Sequence, residues 1–463
     1  MKFRMEKRKR AREVEPGGHV EVARVGSGET GIAAHCSSRF SSPLVISLPS
    51  LESNTLHTHI YTLNTNSMAT KKATFKKNEQ IKSLGRIAVT GGCGFLGGHI
   101  VSLLAERDVC DKTIAIDVKG PTKPVEGVQY ETTDITDYDA VLSLFESLKL
   151  DAVIHTASPP ALNHKNHELF YNVNVNGTKN LVRAAQETGV KAFVYTSSAS
   201  VIHDTVSDLV NADESYPLIM GANQPEYYTT TKAQAELHVL SSNRAPSHPK
   251  FLTAAIRPSA MFGEGDMQLL PPGLSAYYRG QTKVQIGTNE NLFDFTEIRN
   301  VAHAHHLALA ALLATSDRDA EGKALPLDTE KVDGEAFFIT NDSPVYFFDF
   351  ARMCWAAAGD KTRPEQVWQL SKDVGLLIAT LMEWIFWLFR LGQPNLTRQQ
   401  VKYTCMTRFY SIDKVKRRLG YRPVVGLQEG IKKGVHDALF RGVVKGQPEE
   451  FKGDWEAIGK KLP

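Results

Sequence analysis

The sequence predicts an α/β fold in which helices cover both faces of a parallel, doubly wound β-sheet, followed by a smaller C-terminal lobe. Short runs of apolar and β-branched residues alternate with longer segments that carry apolar residues at helical spacing. Alternation at these lengths is typical of parallel strands that are joined by helices. In addition, a glycine cluster directly follows the first apolar run, which indicates a strand, a tight turn and a helix.

The predicted elements follow one another from residue 86 onward. Residues 86–90 are predicted to form the first strand, and residues 98–107, with apolar residues on one face, the first helix. Because parallel strands end at the same sheet edge, we expect residues after the strands to converge on one crevice. The later elements are strands at 113–117 and 128–132, a helix at 138–148, a strand at 151–155, a long helix ending at residue 188, a strand at 191–198, a helix at 228–242 and a strand at 252–257.

The glycine cluster has the spacing Gly91-x-x-Gly94-x-x-Gly97. Gly91 permits the turn, Gly94 lets backbone N–H groups approach a diphosphate, and Gly97 lets the helix pack close to the strand. Phe95 and Leu96, inside the cluster, are further candidates for cofactor binding, and the N-terminus of the helix that follows, with its unpaired N–H groups and positive dipole end, favours an anion. The usual dinucleotide fingerprint is Gly-x-Gly-x-x-Gly, and the alternative here is a glycine-rich turn without a ligand. With the flanking strand and helix, the cluster predicts a dinucleotide site.

Two acidic positions refine that prediction. Asp117 ends the second strand twenty residues beyond Gly97, where a carboxylate binds an adenosine ribose and repels a 2′-phosphate. The sequence therefore favours NAD over NADP, although Lys119 could partly offset the repulsion. Asp134 and Ile135 follow the third strand and are candidates for holding an adenine edge. An ordinary cap for the helix at 138–148 is the alternative for Asp134.

Tyr228 and Lys232 supply a candidate acid/base. They are four residues apart on a predicted helix, so both side chains lie on one face. A neighbouring ammonium and the positive nicotinamide ring together favour a phenolate, so we expect both to lower the pKa of Tyr228, and Lys232 to hold the nicotinamide ribose. Tyr228 then accepts a proton from a substrate hydroxyl, and Ser198 at the end of its strand orients the same oxygen. The pattern predicts oxidation of an alcohol to a ketone.

Composition sets the domain organisation and excludes some classes. The chain has 463 residues, of which 42% are hydrophobic, and a formal charge of +3, which gives no signal for nucleic-acid binding. Residues 1–75 are predicted to be a disordered extension, and residues 1–67, ahead of Met68, to be dispensable or not always translated. The dinucleotide-binding domain is assigned to 84–260, and the substrate lobe mainly to 261–445. His303, His305 and His306 do not share one helix face, so no metal site is predicted.

These blocks, in this order, resemble the 3β-hydroxysteroid dehydrogenase family of extended short-chain dehydrogenases. The resemblance covers roughly residues 84–440, and its narrower part is similar to the branch that acts on 4α-carboxysterols. It implies a Rossmann fold and places Ala157, Ser158, Asn174 and Pro258 in the cofactor site beside the residues above. The blocks that carry it are residues 90–97, 155–160, 174–178, 195–201, 228–232, 257–259, 291–296, 300–305 and 337–342.

The resemblance implies a reaction as well. The 3β-hydroxyl of a 4α-carboxysterol is oxidised with NAD or NADP, and the resulting β-keto acid loses carbon dioxide because the electrons left behind delocalise into the new carbonyl. Ser198 and Tyr228 would hydrogen-bond the developing oxyanion. The alternatives are another 3β-hydroxysteroid dehydrogenase/isomerase, a nucleotide-sugar epimerase of the same fold, and a non-catalytic regulator that senses dinucleotide.

The segment 374–391 is the most apolar part of the C-terminal half. Its paired tryptophans, internal Glu383 and flanking cations suit a helix lying in a bilayer surface. A buried helix of the substrate lobe and a spanning helix are the alternatives. With a sterol substrate, the resemblance implies a place on the cytosolic face of the endoplasmic reticulum membrane, peripheral or interfacially anchored, or on lipid droplets. It also implies a homodimer through residues 166–188 and 226–242, and contact with other enzymes of sterol C-4 demethylation.

Overall fold

The computed structural model describes residues 83–160, 166–392, 394 and 396–462. The predictions about residues 1–75, including the dispensable stretch 1–67, lie outside the described residues.

A seven-stranded parallel sheet forms the centre of this part of the chain, in the order β12-β7-β5-β4-β1-β2-β3. The predicted strands are confirmed to within a few residues. Residues 335–339 were not predicted as a strand, yet they complete the sheet beside β7. The strands are β1 (Arg86–Thr90), β2 (Lys112–Asp117), β3 (Gln129–Thr132), β4 (Ala152–His155), β5 (Ala192–Thr196), β6 (Leu209–Ala212), β7 (Leu252–Pro258), β8 (Ala260–Phe262), β9 (Val284–Ile286), β10 (Leu292–Phe293), β11 (Phe295–Glu297), β12 (Glu335–Ile339), β13 (Val345–Tyr346), β14 (Trp368–Leu370) and β15 (Arg408–Tyr410).

Helices cover both faces of the sheet, as predicted. The long helix predicted to end at residue 188 is confirmed, but it contains a π-helical segment, Tyr171–Gly177, between α3 and α4. The helices are α1 (Phe95–Arg107), α2 (Tyr138–Leu148), α3 (His167–Phe170), α4 (Thr178–Glu187), α5 (Tyr227–Ser241), α6 (Leu270–Tyr278), α7 (Ile298–Ala320), α8 (Phe347–Ala357), α9 (Lys372–Leu388), α10 (Arg398–Thr404), α11 (Asp413–Leu419), α12 (Leu427–Phe440) and α13 (Trp455–Lys461).

The two faces of the sheet build separate cores because successive strand residues point to opposite sides. In β1, Ile87 and Val89 pack with α1 and α7, whereas Ala88 packs with α2, α4 and α5. A third core lies in the C-terminal half, where α6, α8 and α12 pack around aromatic residues such as Phe262 and Phe295. The central sheet is thus packed against a hydrophobic core on each face.

The smaller sheet draws on distant parts of the sequence. It has the order β13-β10-β15-β6, so residues 209–212 pair with residues near 408. The large sheet, in turn, takes β12 from beyond residue 260. The domain boundary assigned at residue 260 remains a prediction.

Helix α9 lies on the surface of the C-terminal half. Only Gly375 and Ala379 are buried, against α10 and β9, and most of its large apolar side chains are exposed. Its 17 residues are fewer than the roughly 20 that span a bilayer. Over the described part of the chain, no helix is long and apolar enough to cross a membrane. The exposed apolar face contradicts the alternative of a buried helix of the substrate lobe.

Candidate active site

The glycine cluster forms the turn that its spacing predicts. Gly91 has φ +69°, a left-handed conformation that favours glycine. A Cβ on Gly97 would lie 2.0 Å from the Gly91 carbonyl oxygen, so only glycine lets α1 approach the turn this closely. Gly94 is exposed at the helix N-terminus, and the first-turn amides of Phe95 and Leu96 have no intrahelical partner. The turn fits a diphosphate in shape and in donors.

Asp117 lies beside this turn at the end of β2. Its carboxylate accepts hydrogen bonds from the backbone N–H of Cys93 at 3.1 Å and of Lys119 at 3.4 Å. The side chain of Asp117 is partly exposed, so its remaining acceptor capacity faces the place where an adenosine ribose would lie. The structure therefore brings Asp117 to the glycine turn, as the sequence predicted.

Asp134 and Ile135 have different surroundings from each other. Asp134 is exposed and accepts hydrogen bonds from the N–H and hydroxyl of Thr136, at 2.9 and 2.8 Å. It does not cap α2, because the cap is Asp137, whose side chain accepts from the Ala140 N–H. The helix-cap alternative for Asp134 is therefore wrong. Ile135 is buried and packs on Gly177.

The end of β4 contacts the glycine turn and lies near helix α5, the catalytic helix that carries Tyr228 and Lys232. The backbone of Ala157 lies so close to Gly91 that a Cβ there would be 2.8 Å from the Ala157 Cα. The next residue, Ser158, is near enough to Tyr228 to lower its pKa, while the Ser158 hydroxyl donates to the Pro159 carbonyl at 3.2 Å. The sequence placed Ser158 with the cofactor, and the structure also places it at the candidate base.

Tyr228 lies in the first turn of α5, and Lys232 lies one turn later, as predicted. The Tyr228 ring packs edge-on against Phe170 with centroids 5.7 Å apart. Lys232 is buried, and its Nζ donates a hydrogen bond of 2.6 Å to the Thr196 carbonyl at the end of β5. It also lies 4.9 Å from the centre of the Tyr195 ring. The lysine amine is thus fixed by the sheet edge.

Burial shifts the pKa values of both Tyr228 and Lys232 in the cofactor-free protein. Burial raises the pKa of Tyr228 to about 12, and although the nearby Ser158 lowers it, Glu226 adds to the rise. Burial also lowers the pKa of Lys232 to about 7, against the opposing effect of Glu236. In the cofactor-free protein desolvation therefore dominates the pKa of Tyr228. That the Lys232 ammonium and a positive nicotinamide ring together lower this pKa stays a prediction for the cofactor-bound site.

Ser198 stands at the end of β5, where the sequence placed it. Its hydroxyl is partly exposed, lies 2.8 Å from the Ser200 hydroxyl and accepts from the Ser200 N–H at 3.2 Å. It thereby caps the short 3₁₀ turn Ala199–Ile202. In the cofactor-free site its hydrogen-bond partner is Ser200.

The remaining predicted residues, Asn174 and Pro258, are buried. Asn174 lies in the π-helical segment and donates from Nδ2 to the Thr231 hydroxyl at 3.0 Å, while its Oδ1 is buried without a partner among the described residues. Pro258 ends β7, and its backbone is paired with Ile339 of β12. Asn174 thus contacts the catalytic helix directly, whereas Pro258 lies at the same sheet edge two strands from β4.

Residues that the sequence did not single out extend the site toward the C-terminal half. Glu226, the N-cap of α5, accepts hydrogen bonds at 2.6 Å from Tyr403 and from Gln399 of α10. Arg408 on β15 is only 8% exposed, and its Nε donates to the Tyr410 hydroxyl at 2.7 Å. Glu226 is within electrostatic range of both Tyr228 and Arg408. The hydrogen bonds between α10 and the start of α5 join residues about 175 positions apart in the chain, so no local sequence pattern predicts them.

The match to known families agrees with this geometry. Residues 88–371 match the model of the 3-beta hydroxysteroid dehydrogenase/isomerase family. The chain belongs to this family. That assignment confirms the resemblance found in the sequence, and the fold places the family's dinucleotide turn and tyrosine–lysine pair at one sheet edge.

Relatives with curated names lie within the same family. The chain is 39% identical over 350 residues to sterol-4-alpha-carboxylate 3-dehydrogenase, decarboxylating, of Schizosaccharomyces pombe. The aligned region covers 74% of this chain and 94% of the relative. It is 35% identical over 357 residues to the protein of the same name from Mus musculus, covering 77% and 91%. The similarity therefore spans nearly the whole of each relative.

Solved structures confirm the fold. A dTDP-glucose 4,6-dehydratase from Streptomyces venezuelae, crystallised with NAD, superposes with a TM-score of 0.56 at 22% sequence identity, covering 78% of this chain and 99% of that one. At this identity the likeness speaks for the extended short-chain dehydrogenase fold alone. The predicted fold class is thus confirmed.

Proposed function

We propose that this protein oxidises the 3β-hydroxyl of a 4α-carboxysterol with a nicotinamide dinucleotide and releases the carboxylate as carbon dioxide, within C-4 demethylation of sterols. The observation that carries the proposal is the placement of Tyr228 and the buried Lys232 beside the glycine turn, in a chain whose named relatives are decarboxylating sterol-4-alpha-carboxylate 3-dehydrogenases. The catalytic pair also argues against a regulator that only senses dinucleotide, since such a protein needs neither group.

The residues divide the oxidation between them. Bound NAD supplies the hydride acceptor and a positive ring. Tyr228 accepts the proton of the 3β-hydroxyl, and its neighbour Ser158 belongs to the β4 end of the cofactor crevice. Lys232, held by the Thr196 carbonyl, would hold the nicotinamide ribose, and its ammonium form would favour the Tyr228 phenolate. Ser198 exchanges its bond to Ser200 for one to the substrate oxygen.

Decarboxylation follows from the product of that oxidation. A 3-ketone next to a 4α-carboxylate is a β-keto acid, in which the bond between C4 and the carboxylate breaks and its electron pair forms an enolate with the new carbonyl. Protonation of C4 then gives the 3-ketosteroid. Tyr228, protonated after the first step, and Ser198 stabilise the enolate oxygen by hydrogen bonds. No further catalytic group is required.

We infer that Arg408 binds the substrate carboxylate. It is a buried cation, and no carboxylate of the described residues lies within salt-bridge distance of its guanidinium. A buried arginine is stabilised by a charged partner, and the arginine fork matches a carboxylate in geometry. Tyr410, which accepts from Arg408 Nε, also donates to the Ala199 carbonyl beside Ser198, at 3.3 Å. Tyr410 thus connects Arg408 to the backbone next to Ser198, which supports Arg408 as the ligand for the carboxylate of a sterol bound at Ser198.

Two features support NAD as the preferred dinucleotide. The Asp117 carboxylate lies at the glycine turn, and its charge disfavours a 2′-phosphate. The backbone of Lys119 donates to this carboxylate, but no ion pair joins the Lys119 ammonium to it within the described residues. Lys119 therefore offsets little of the repulsion between Asp117 and a 2′-phosphate, and NADP is the disfavoured alternative.

We propose that α9 binds the surface of a membrane, on the cytosolic face of the endoplasmic reticulum or on lipid droplets. Its exposed apolar residues include Trp384, Trp387, Leu388 and Phe389, each at least 65% exposed. Large apolar side chains in contact with water along a surface helix and its C-terminal end indicate an interfacial helix, and a bilayer is the source of a sterol substrate. Glu383 does not oppose this contact, because it pairs with Arg398 of α10 at 2.6 Å.

A homodimer through residues 166–188 and 226–242 is also proposed. Three large apolar side chains of this face, Leu169, Tyr171 and Leu237, are exposed, between 36% and 46%. Contact with the other enzymes of sterol C-4 demethylation fits a protein on the same membrane. Both proposals follow from family membership more than from a particular contact.

The reaction is tested by incubating the protein with a 4α-carboxy-3β-hydroxysterol and NAD while following NADH and the mass of the sterol product. We expect NADH together with a 3-ketosterol that has lost carbon dioxide. NADH with an intact carboxylate would indicate a plain 3β-hydroxysteroid dehydrogenase. Tight dinucleotide binding without either product would contradict the proposal.

A further inference from the structure

Thr196, at the end of β5, makes two hydrogen bonds, one through its backbone carbonyl and one through its side-chain hydroxyl. Its carbonyl accepts from Lys232 Nζ at 2.6 Å, and its hydroxyl lies 2.7 Å from Nε2 of His305. All three residues are buried, with His305 at 0% exposure. The catalytic amine and a histidine of α7 therefore meet at one residue of the sheet edge.

A hydrogen bond within α7 shows which group donates in the bond between the Thr196 hydroxyl and His305. His305 Nδ1 lies 2.8 Å from the Val301 carbonyl, which can only accept, so Nδ1 carries the proton. Nε2 is then an acceptor, and the Thr196 hydroxyl donates to it. Burial lowers the pKa of His305 to about 4, against the Val301 bond and together with the charge of Lys232, so the ring is neutral at physiological pH.

This chain of bonds joins the two helical layers. Lys232 belongs to α5, which packs on one face of the sheet, whereas His305 belongs to α7 on the other face. Ser198, the residue predicted to orient the substrate oxygen, follows Thr196 by two positions. A shift of Thr196 would therefore move the lysine anchor and the serine together.

We propose that His305 is a positioning residue for the reaction: through the Thr196 hydroxyl it fixes the end of β5, and with it the Lys232 amine and Ser198. This inference rests on the proposed function, because it assigns His305 to the same catalytic site. The competing interpretation is a core histidine that contributes only to stability. His155 illustrates that case, since it joins Thr90 and Thr178 at 2.7 and 2.9 Å without bonding a catalytic side chain.

The test compares His305→Ala, His305→Gln and Thr196→Val in the purified full-length protein. We expect His305→Ala and Thr196→Val each to lower kcat for the sterol about 10- to 100-fold, with KM within about twofold, because a displaced anchor mispositions the reacting groups. Thr196→Val keeps the carbonyl and removes only the hydroxyl. The double variant should lose no more than either single variant, since both break one chain of bonds. His305→Gln, which can accept from Thr196 with its amide oxygen, should recover most of the loss.

His306→Ala is the matched control, because His306 is the next residue of the same helix and, among the described residues, no hydrogen bond joins it to Thr196 or Lys232. It should retain wild-type kcat. Unchanged kcat in His305→Ala and Thr196→Val, with only a lower melting temperature, would overturn the proposal. If His305→Ala does not fold, Thr196→Val alone gives the answer, since it is the milder change.

Dinucleotide binding separates this inference from the sterol reaction. If the wild-type protein oxidises no sterol, the proposed function fails, and the role of His305 is then decided by the Kd for NAD. Because Lys232 is the ligand for the nicotinamide ribose, His305→Ala and Thr196→Val should weaken NAD binding several-fold, whereas His306→Ala should not. Equal affinity in all four proteins would overturn the inference independently of the substrate.

Discussion

At the scale of single residues, burial strongly lowers the pKa of Lys232. The sequence predicted its pairing with Tyr228 from the four-residue spacing, and the structure confirms that both lie on α5. The sequence could not predict the burial that lowers the pKa of Lys232 to about 7 and raises that of Tyr228 to about 12. Desolvation depends on Thr196, Phe170 and other residues that are distant in the chain, so no local pattern encodes it.

This burial predicts a pH dependence of stability. The pKa of Lys232 is about 7 in the folded protein and near 10.5 when unfolded, so the unfolded state binds more protons between these values. Stability contributed by this site therefore rises with pH from about 7 to 10, by at most ~1.4 kcal/mol per pH unit. Lys232→Met, which has no titrating group, should lack this contribution.

The measurement is chemical denaturation of the cofactor-free wild type and Lys232→Met at pH 7 and pH 9. The difference in unfolding free energy should shift in favour of the wild type at the higher pH. Parallel curves for the two proteins would show that the buried amine does not titrate in this range. Lys191→Met, at an exposed ion pair, serves as a control for removing a lysine.

Arg408 gives a second prediction at the residue scale. If it binds the substrate carboxylate, Arg408→Met should raise KM for a 4α-carboxysterol at least ~10-fold, because a buried charged hydrogen bond is lost. Oxidation of a 3β-hydroxysterol without the carboxylate should change little. Steady-state kinetics on both substrates provide the comparison, with melting curves to confirm folding. An equal loss on both substrates would assign Arg408 to structure instead of recognition.

At the scale of elements, the sequence predicted the sheet and its helices well because strand and helix periodicity is local. The glycine turn and the strand ending at Asp117 follow directly from that pattern. Strand β12 and the small sheet were missed, because short strands such as Val345–Tyr346 exist only through pairing with distant partners. The same reason explains why Glu226, Tyr403 and Arg408 escaped notice, since their contacts join the start of α5 to residues near 400.

Helix α9 is the element whose function is most directly testable. Replacing Trp384, Trp387 and Leu388 with serine removes three large exposed apolar side chains and should lower binding to phospholipid vesicles at least ~10-fold, since each buries apolar area in the bilayer surface. Activity on sterol in detergent should remain. Flotation of the protein with vesicles measures the binding.

A matched control for that experiment is available away from α9. Leu325 and Leu327 are exposed, at 43% and 69%, in the loop that follows α7. Serine at both positions should leave vesicle flotation unchanged. If the α9 variant floats as well as the wild type, the helix does not mediate membrane contact.

At the scale of the whole molecule, the fold brings the glycine turn and the acid/base pair to the carboxyl ends of the parallel strands. The C-terminal half carries a buried arginine on the smaller sheet and an apolar helix on its surface. Family membership and this arrangement support one reaction in which oxidation precedes loss of carbon dioxide. The order of the two steps is the central claim, because the enolate can form only after the 3-ketone exists.

That order is tested most directly with a sterol labelled in its 4α-carboxylate, by counting labelled carbon dioxide against NADH for the wild type and Tyr228→Phe. We predict one carbon dioxide for each NADH in the wild type, and a large fall in both for Tyr228→Phe, which lacks the phenolic base. Carbon dioxide release that continues without NADH, in either protein, would contradict the account, because decarboxylation would then not depend on prior oxidation.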